Sequence, residues 1–505
     1  MDELIDGIIA ESSMISLNND SLSRLPDSVI IPNYDRNSLT AGIVHIGVGN
    51  FHRAHLAWYL HRLMQNGQAY DWAIIGAGVR EHDKIMRNKL LAQDCLTTLI
   101  ELDPAGGQAT EVTGAMIDFL PVEPENQPLI DAMARPEIKI VSLTITEGGY
   151  YLDSTTGKLD CGHADILHDA AHPQTPKTAF GAIVAALKLR RERGITPFSC
   201  LCCDNLQANG AILRQTVVGL ARLSDPELAS WIDSQSAFPN SMVDCIVPAT
   251  GRGELELAQR LGIDDAAPVT HEDFRQWVIE DSFCQGRPDW HLVGAEFSDH
   301  VHLHEAQKIR ILNGGHQILA NVAEVMGVTT ISDAISHPLI YGFFHKVLTT
   351  EIIPHVTELD NMPVTNYLEV IEKRFANPKI IDTVRRVAFD GSARHAGFIL
   401  PSIRDGLAKE SKIAGLALVE ALWARMCEGH RENGSVIDPN DPIWERLRNT
   451  ASQARIRPLA WLEMDDIYGD LAKDKRFAPA FEQALHAIYT DGVAPTIQQY
   501  LEATD

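Results

Sequence analysis

The amino-terminal half of the chain alternates short apolar runs with amphipathic stretches. Five runs rich in apolar and β-branched residues predict strands, at residues 42–47, 72–78, 96–102, 138–146 and 197–203. Residues 177–194, between the last two runs, have the apolar spacing and basic final turn of a crossover helix. This alternation predicts an α/β fold in which helices cover a mostly parallel sheet.

Beyond about residue 300 the pattern changes to long helical periodicities. Residues 415–430 and 478–492 carry apolar side chains at helical spacing. We therefore predict two domains, an α/β domain at residues 1–299 and a mostly α-helical domain at residues 300–505.

Composition narrows the function classes. The chain has 43 basic and 68 acidic residues, a formal charge of -25 that would repel a nucleic-acid backbone. No run approaches the ~20 apolar residues of a membrane span, and the first stretch lacks the basic and apolar regions of a secretory signal. We expect a cytoplasmic protein that binds neither nucleic acid nor membrane.

Three of the eight cysteines, Cys200, Cys202 and Cys203, are crowded into one predicted strand. Alternate residues of a strand point to opposite faces, and neither a paired C-x-x-C nor a nearby histidine completes a tetrahedral metal site. The pattern favours buried, reduced thiols and predicts no metal.

The first predicted strand runs into a glycine turn. Gly47 and Gly49 stand where the first two glycines of a dinucleotide-binding turn would stand, and Asn50 and Phe51 complete the candidate cofactor-binding segment. His52 occupies the place of the third glycine, so the motif is incomplete. From these residues alone, a nucleotide site and an ordinary strand-to-helix loop are equal alternatives.

An acidic residue at the end of the second strand would bind the ribose of a dinucleotide. Asp83 is the candidate and Glu81 the nearest substitute, while a solvated loop carboxylate is the alternative for Asp83. We expect His52 and His55, close to the glycine turn, to satisfy buried hydrogen bonds rather than to contact a cofactor.

The segment "KIRILNGGHQIL", residues 308–319, mixes polar residues and two glycines into a predicted helix. At about 100° per residue, Lys308, Asn313 and His316 share one arc and could meet around a small ligand. The alternative is an amphipathic helix with a hydrated polar face. Each glycine costs about 1 kcal/mol in a helix, so we expect Gly314 and Gly315 to let a cofactor ring or substrate approach the backbone.

These residues suit the oxidation of a secondary alcohol. The reaction needs a base, donors for the developing alkoxide and a bound nicotinamide. A lysine with a lowered pKa can be the base, and the amides of Asn313 and of Asn205, which follows the fifth predicted strand, can be the donors. The sequence has neither a Tyr-x-x-x-Lys pair nor a zinc alcohol dehydrogenase motif. It therefore favours a metal-free, lysine-based oxidoreductase.

Six motifs occur in one order along the chain and resemble the polyol-specific long-chain dehydrogenase family. They are "HIGVGNFHRAH" (45–55), "VSLTITEGGY" (141–150), "CDNLQANG" (203–210), "FPNSMVDCI" (238–246), "KIRILNGGH" (308–316) and "DGSARHAGF" (390–398). The resemblance implies a Rossmann-type NAD-binding domain followed by a helical domain.

The resemblance also implies residue roles. It makes Lys308 the general base, Asn205 and Asn313 the oxyanion hole, and His316 a residue that positions the substrate. Its implied substrate contacts are Asp244 and Arg386. As alternatives, Asp244 is a structural cap and Arg386 a surface or ion-pair residue.

Cofactor choice and substrate charge depend on two departures from the family pattern. The resemblance implies NAD selectivity from Asp83, but His82 replaces an acidic neighbour of that aspartate. Arg394 stands where the polyol enzymes have a lysine. A bulkier cation there could favour a carboxylate, as in the family's fructuronate reductases.

We therefore predict an NAD-dependent enzyme that interconverts a sugar alcohol and its 2-ketose. Mannitol and fructose are the leading pair, followed by arabinitol and xylulose. A hexuronate reductase is the runner-up, and a non-catalytic nucleotide-binding sensor is the alternative outside enzymes. We expect the small-molecule substrate to be the main partner and the chain to act as a monomer.

Overall fold

The computed structural model describes residues 14–104, 107–153, 156–359 and 361–503. The chain divides into two compact units, which we call unit 1 (residues 1–302) and unit 2 (residues 303–505).

Unit 1 combines strands and helices. Its strands are β1 Ile15–Ser16, β2 Val29–Ile30, β3 Ala41–Ile46, β4 Ala73–Ala77, β5 Thr97–Leu102, β6 Gln108–Thr113, β7 Met116–Phe119, β8 Ile140–Leu143, β9 Ser199–Cys202, β10 Ser241–Asp244, β11 Ile263–Asp264, β12 Val269–Glu272, β13 Gln276–Ile279 and β14 Glu296–Phe297. Its α-helices are α1 Asn50–Ala54, α2 Leu56–Gln65, α3 Asp83–Leu91, α4 Gln127–Met133, α5 Ala164–Ala171, α6 Ala179–Glu192, α7 Asn209–Ser224, α8 Pro226–Gln235 and α9 Arg252–Arg260. Short 3-10 turns lie at Asn19–Arg24, Arg36–Ser38, Glu147–Tyr150 and Trp290–Val293.

A parallel sheet forms the centre of unit 1. Within the described residues it has five strands in the order β7-β4-β3-β8-β9, and every neighbouring pair is parallel. Four of the predicted strands are confirmed as β3, β4, β8 and β9, and the predicted crossover helix is α6. The α/β prediction for this part of the chain is confirmed.

The predicted strand at residues 96–102 exists, as β5, but its expected place in the parallel sheet is wrong. It lies in a second sheet of order β12-β5-β6-β2 and pairs antiparallel with β6. Because β6 is the next strand in the sequence, a short connection is enough to pair it with β5 antiparallel, and closing this short loop costs less entropy than the long crossover that a parallel neighbour needs.

Side chains from both faces of the parallel sheet are buried under helices. Helices α4, α6 and α7 cover one face, and α2 covers the other. Cys200 and Cys202 point into the first of these cores and Cys203 into the second. All three are buried thiols that form no disulfide bond among the described residues, as predicted.

Unit 2 is mostly helical in its described residues, as predicted. From the unit boundary onward the α-helices are α10 Val301–Gln307, α11 Gly314–Met326, α12 Ile331–Ser336, α13 Pro338–Val347, α14 Val364–Phe375, α15 Val384–Val387, α16 Gly391–Arg394, α17 Leu400–Ala408, α18 Ala414–Met426, α19 Trp444–Ala454, α20 Asp465–Tyr468, α21 Phe477–Asp491 and α22 Val493–Glu502. Segments of π-helix occur at Lys308–Asn313, Leu348–Ile352 and His395–Ile399, and 3-10 turns at Ile353–His355, Pro458–Ala460 and Gly469–Lys473.

Helix α11 lies in the middle of the unit 2 core. Ile318 and Val322 are buried there, together with Ile311 of the π-helix before it. In the described part of the chain, no helix is long and apolar enough to cross a lipid bilayer.

Candidate active site

The glycine turn after β3 is tight at Gly47 and open at Gly49. Gly47 has φ +95°, and a Cβ there would lie 2.1 Å from the carbonyl oxygen of Thr144, so only glycine fits. A Cβ at Gly49 would have no heavy atom within 4 Å. The first glycine is therefore required by the fold, whereas the second leaves open space beside the backbone.

Asn50 and Phe51 hold the turn in place. The Asn50 amide donates to the carbonyl oxygen of Pro248 and to Oγ1 of Thr250, both at 2.9 Å. The Phe51 ring stacks on His55 with 4.7 Å between ring centroids. Both side chains thus have structural partners beside the open space at Gly49.

The expected hydrogen bonding of His52 is wrong, whereas that of His55 is confirmed. Both ring nitrogens of His52 are buried without a hydrogen-bond partner among the described residues. The His52 ring instead stacks on His45, with 3.4 Å between centroids, and burial holds its pKa well below the usual value. His55 Nε2 donates to the carbonyl oxygen of Gln276 at 3.0 Å. The sequence motif did not reveal the stack because His45 lies on β3.

His45 connects the ends of two parallel strands. Its Nδ1 is 2.8 Å from Ser142 Oγ, and its Nε2 is 2.9 Å from Thr144 Oγ1 and 3.2 Å from the carbonyl oxygen of Gly47. Burial lowers the pKa of His45 to about 3, so the ring is neutral at neutral pH.

Asp83 closes the loop after β4. Its Oδ2 accepts hydrogen bonds from the backbone N–H groups of Val79 (2.9 Å) and Arg80 (2.8 Å). Its Oδ1 lies 3.5 Å from Nε2 of His82. The substitute candidate, Glu81, is exposed and pairs with Lys84 at 2.8 Å. The Asp83 carboxylate therefore organises the loop and is not simply solvated.

Asn205 lies at the carboxyl edge of the parallel sheet, where α/β proteins bind ligands. It is exposed and follows the buried Asp204. The Asp204 carboxylate accepts the backbone N–H groups of Ile145 (3.0 Å) and Thr146 (2.9 Å), which joins the ends of β8 and β9. Since β8 lies between β3 and β9, Asn205 is two strand spacings, roughly 10 Å, along this edge from Gly47.

Asp244 is the last residue of β10 and is buried. Strand β10 pairs antiparallel with β13, and Asp244 lies opposite Gln276. The Ser241 hydroxyl donates to the carbonyl oxygen of Cys202 at 2.6 Å, which ties β10 to the end of β9.

Lys308 begins a π-helical turn and Asn313 ends it. The prediction of a continuous α-helix at about 100° per residue is wrong here, because i→i+5 bonding changes the directions of the side chains. Lys308 is only 7% exposed, and Asn313 is partly buried. Single π-helical turns inside α-helices occur frequently at functional sites.

The expected reason for a glycine at position 315 is also wrong. A Cβ at Gly315 would lie 2.9 Å from Cε2 of Phe344, so this glycine is needed for core packing. A Cβ at Gly314 would meet only ordinary contacts, at 3.6 Å or more from the nearest atoms. The described structure thus shows helix–core contact, not ligand access, at Gly315.

His316 stacks on Phe375 with 4.2 Å between ring centroids. Its Nε2 is buried without a hydrogen bond among the described residues and lies 3.9 Å from Oδ2 of Asp382. Burial, and to a lesser extent the positive charges of Arg386, Arg374 and Arg394, lower the pKa of His316 to about 3. His316 is therefore neutral at neutral pH and retains unused hydrogen-bonding capacity.

Arg386 makes a bidentate ion pair with Asp382. Its Nε and Nη2 both donate to the carboxylate at 2.6 Å. The ion-pair alternative for Arg386 is thus present in the structure, and the pair leaves much of the arginine side chain exposed (60%). We did not predict Asp382, although a carboxylate four residues before an arginine is a recognisable ion-pair spacing.

Arg394 donates from Nη1 to the carbonyl oxygen of Val387 at 2.5 Å. Val387 is the residue that follows Arg386 in the sequence. Unit 2 therefore brings His316, Arg386 and Arg394 into one neighbourhood, with Asp382 and Arg374 as members that the sequence did not indicate. In unit 1, the glycine turn and Asn205 share one edge of the sheet.

Comparison with known proteins identifies both units. Residues 41–292 match the model of the mannitol dehydrogenase Rossmann domain, and residues 300–489 match the mannitol dehydrogenase C-terminal domain.

Relatives match over almost the whole chain. A mannitol 2-dehydrogenase of Cereibacter sphaeroides is 54% identical over 476 residues, which are 94% of this chain and 99% of the relative. A solved Pseudomonas fluorescens mannitol 2-dehydrogenase, in a ternary complex with NAD and D-mannitol, is 38% identical with a TM-score of 0.87 and covers 97% of this chain and 100% of its own. A D-sorbitol dehydrogenase structure is 33% identical with a TM-score of 0.86, covering 95% of this chain and 100% of its own.

Proposed function

The chain belongs to the mannitol dehydrogenase family, and from this premise we propose that it oxidises a sugar alcohol to its 2-ketose, and reduces the ketose, with NAD. It is an NAD-dependent oxidoreductase of the polyol dehydrogenase class. D-mannitol and D-fructose are the leading pair, because the most similar relatives named above are mannitol 2-dehydrogenases. D-arabinitol and D-xylulose are the next pair. A monomeric, cytoplasmic enzyme remains a prediction.

Unit 1 has the features that NAD binding requires. The open space beside Gly49 lets a pyrophosphate approach the backbone, and Gly47 permits the tight turn before it. When bound, NAD takes up the hydride that leaves the alcohol carbon. Asp83 would select NAD over NADP, because a second oxygen remains on the carboxylate after Oδ2 has closed the loop, and its charge repels a 2'-phosphate.

Lys308 would act as the base. Its burial on a π-helical turn carries the proposal, because a lysine is seldom kept out of water without an ionic or chemical role. In its neutral form the amine can accept the proton of the substrate hydroxyl during oxidation. In ketose reduction the ammonium form would return that proton.

The remaining residues would bind and orient the polyol. The amides of Asn205 and Asn313 would donate to the oxygen that becomes negative during the reaction. His316 offers a buried ring nitrogen without a hydrogen bond to any described residue, and Arg386 offers a guanidinium held in place by Asp382. Asp244 would accept a hydrogen bond from a substrate hydroxyl.

We propose that no metal takes part, since the amide donors and the lysine supply the charge stabilisation and the base. Within the described residues, no group of three or more His, Cys, Asp or Glu side chains could hold a metal ion.

A hexuronate reductase is the second candidate function. The supporting observation is that three arginines, Arg374, Arg386 and Arg394, lie close enough to His316 to lower its pKa. Guanidinium groups gathered in one neighbourhood suit a substrate carboxylate.

The test is a substrate panel with purified protein. Fructose, xylulose and fructuronate are reduced with NADH and with NADPH, with and without EDTA, and absorbance at the nicotinamide band is followed. We expect fructose with NADH to give the highest kcat/KM and EDTA to have no effect. Highest efficiency with fructuronate would select the second candidate, and no turnover with any ketose would refute the enzyme proposal.

Lys308→Ala tests the proposed base, with Lys346→Ala as the matched control. Lys346 is also in unit 2, but its ammonium donates to the carbonyl oxygens of Tyr500, Leu501 and Ala503. We expect Lys308→Ala to lower kcat by roughly a hundredfold to ten-thousandfold and to remove the ascending limb of the oxidation pH profile. Lys346→Ala should reduce thermal stability while kcat remains within about twofold of wild type. Wild-type turnover in Lys308→Ala would contradict the assignment.

A further inference from the structure

A hydrogen-bonded network of buried polar side chains begins at helix α11. Asn321 Nδ2 donates to the carbonyl oxygen of Gln317 at 3.0 Å and to His395 Nε2 at 2.8 Å. On the other side of the ring, His395 Nδ1 lies 2.7 Å from Oε1 of Glu420, in α18. Asn321, His395 and Glu420 are each at most 1% exposed.

The network continues from the other carboxylate oxygen of Glu420. Tyr468 donates its hydroxyl to Glu420 Oε2 at 2.6 Å, and Trp461 Nε1 donates to the Tyr468 hydroxyl at 2.6 Å. Both aromatic residues are fully buried. All five side chains of this network are thus shielded from solvent.

The hydrogen bonds can run in one direction only. Asn321 uses its amide nitrogen for both of its bonds, so His395 Nε2 must be the acceptor. The His395 proton then sits on Nδ1 and is donated to Glu420, which accepts a second proton from Tyr468. In this arrangement each hydrogen bond has one donor and one acceptor, and both carboxylate oxygens of Glu420 are acceptors.

The network connects the segments that carry the proposed substrate-binding residues. His395 directly follows Arg394, and Asn321 lies on the same helix as His316. The π-helical turn that starts at His395 also passes close to α11, since a Cβ at Gly314 would lie 3.6 Å from the carbonyl oxygen of Phe398.

A second connection reinforces the first. Gln317, next to His316, donates to the carbonyl oxygen of Val387 at 3.1 Å, and Arg394 donates to the same oxygen. Val387 directly follows Arg386. The residues beside His316, Arg386 and Arg394 are therefore hydrogen-bonded to one another inside the core.

Stability alone does not explain a buried carboxylate here. Removing such a charge from water costs several kcal/mol, and well-packed apolar replacements of buried polar groups are often as stable. A directional network does fix one relative placement of the segments that it joins.

We propose that Glu420 is a positioning residue of the active site: through His395 and Asn321 it sets the spacing between helix α11, which carries His316, and the short helix α16, which ends at Arg394, and so controls polyol binding and turnover. This inference rests on the proposed function. Glu420 itself touches none of the proposed catalytic side chains in the contacts described above.

Glu420→Gln is the informative substitution because it keeps the shape and changes the donors. The new amide must donate to His395 Nδ1 or to the Tyr468 hydroxyl. In the first case the His395 proton moves to Nε2, and Asn321 must turn its oxygen toward it and lose the bond to Gln317. In the second case the tyrosine proton loses its acceptor.

Glu351→Gln is the matched control. Glu351 is equally buried in unit 2 (1% exposed), and it accepts the N–H groups of Gly415 (2.7 Å) and Leu416 (2.9 Å) and the Tyr500 hydroxyl (2.9 Å). It bonds no residue adjacent to His316, Arg386 or Arg394 in these contacts. Its loss should lower stability without changing substrate placement.

The experiment compares both variants with wild type, whose polyol activity is established first, by kcat, polyol KM, NADH Kd from fluorescence and apparent Tm. We expect Glu420→Gln to lose about ten- to a hundredfold in kcat/KM, through a raised polyol KM and a lower kcat, with NADH Kd unchanged. Glu351→Gln should lose Tm to a similar extent while its kcat/KM stays within about twofold of wild type.

Equal kcat/KM in the two glutamine variants, each assayed equally far below its Tm, would overturn the inference, whereas an inactive wild type would overturn the proposed function instead. Tyr468→Phe decides the question if Glu420→Gln does not fold, because it removes one hydrogen bond to Glu420 and keeps the ring. A polyol KM raised at least about twofold in Tyr468→Phe, with NADH Kd unchanged, supports the role, and wild-type kinetics refute it.

Discussion

Replacing Gly315 by alanine would place a methyl group against the aromatic core of unit 2. Its Cβ would lie 2.9 Å from Cε2 of Phe344, which is fully buried and whose ring centroid is 6.0 Å from that of Phe375. Overpacking of this kind costs about 1–3 kcal/mol, and alanine recovers about 1 kcal/mol of helix propensity. We expect a net loss of stability of about 1 kcal/mol, with an upper value of about 2 kcal/mol.

Gly314→Ala is the matched comparison one residue earlier on the same helix. The nearest atoms to its Cβ are 3.6 Å away, so no group must move. Here the propensity gain of up to about 1 kcal/mol is not opposed. The two variants should therefore differ by about 2 kcal/mol, which is about 4–8 °C in apparent Tm for a unit of this size.

Thermal melts and steady-state kinetics of both variants provide the assay. Phe375 contacts both Phe344 and His316, so displacement of the Phe344 ring should also raise the polyol KM in Gly315→Ala. Gly314→Ala should keep the wild-type KM. The packing explanation is refuted if Gly315→Ala melts at or above the wild-type temperature, or if Gly314→Ala is the variant that loses polyol binding.

Three further predictions follow from the site. Asp382→Asn removes the charge that orients Arg386, so the polyol KM should rise about tenfold, which corresponds to the loss of one charge-assisted hydrogen bond. An unchanged polyol KM in steady-state assays would contradict this role of Asp382. The pKa values of His45 and His316 are lowered to about 3 in the native state. As pH falls below about 6.5, these histidines therefore bind protons in the unfolded chain but not in the native state. The free energy of unfolding should drop from about pH 6.5 toward pH 3, by about 1.4 kcal/mol per pH unit for each histidine. His45→Asn should flatten this slope in melts between about pH 5 and 7, and an unaltered slope would argue against a buried neutral histidine. Asp83 should give at least about tenfold higher kcat/KM with NADH than with NADPH, and equal efficiencies would rule out its proposed role.

Several elements of the fold were predicted from the sequence. Apolar periodicity predicted β3, β4, β8, β9 and α6, because burial on one or both faces of an element is a local property of its spacing. Gly47 was identifiable for the same reason, since the turn after a parallel strand restricts its own backbone. The motif resemblance indicated the family that the comparisons confirm.

Tertiary structure alone decided how these pieces meet. The sequence showed β5 as a strand but not its antiparallel partner, and it showed a helix at Lys308 but not the π-helical bonding there. The need for Gly315 depends on Phe344, in another helix, just as the stacking of His52 depends on His45 in a strand. Spacing along the chain encodes which face of an element is buried, whereas the atoms that cover that face come from other elements and are defined only when each unit has folded.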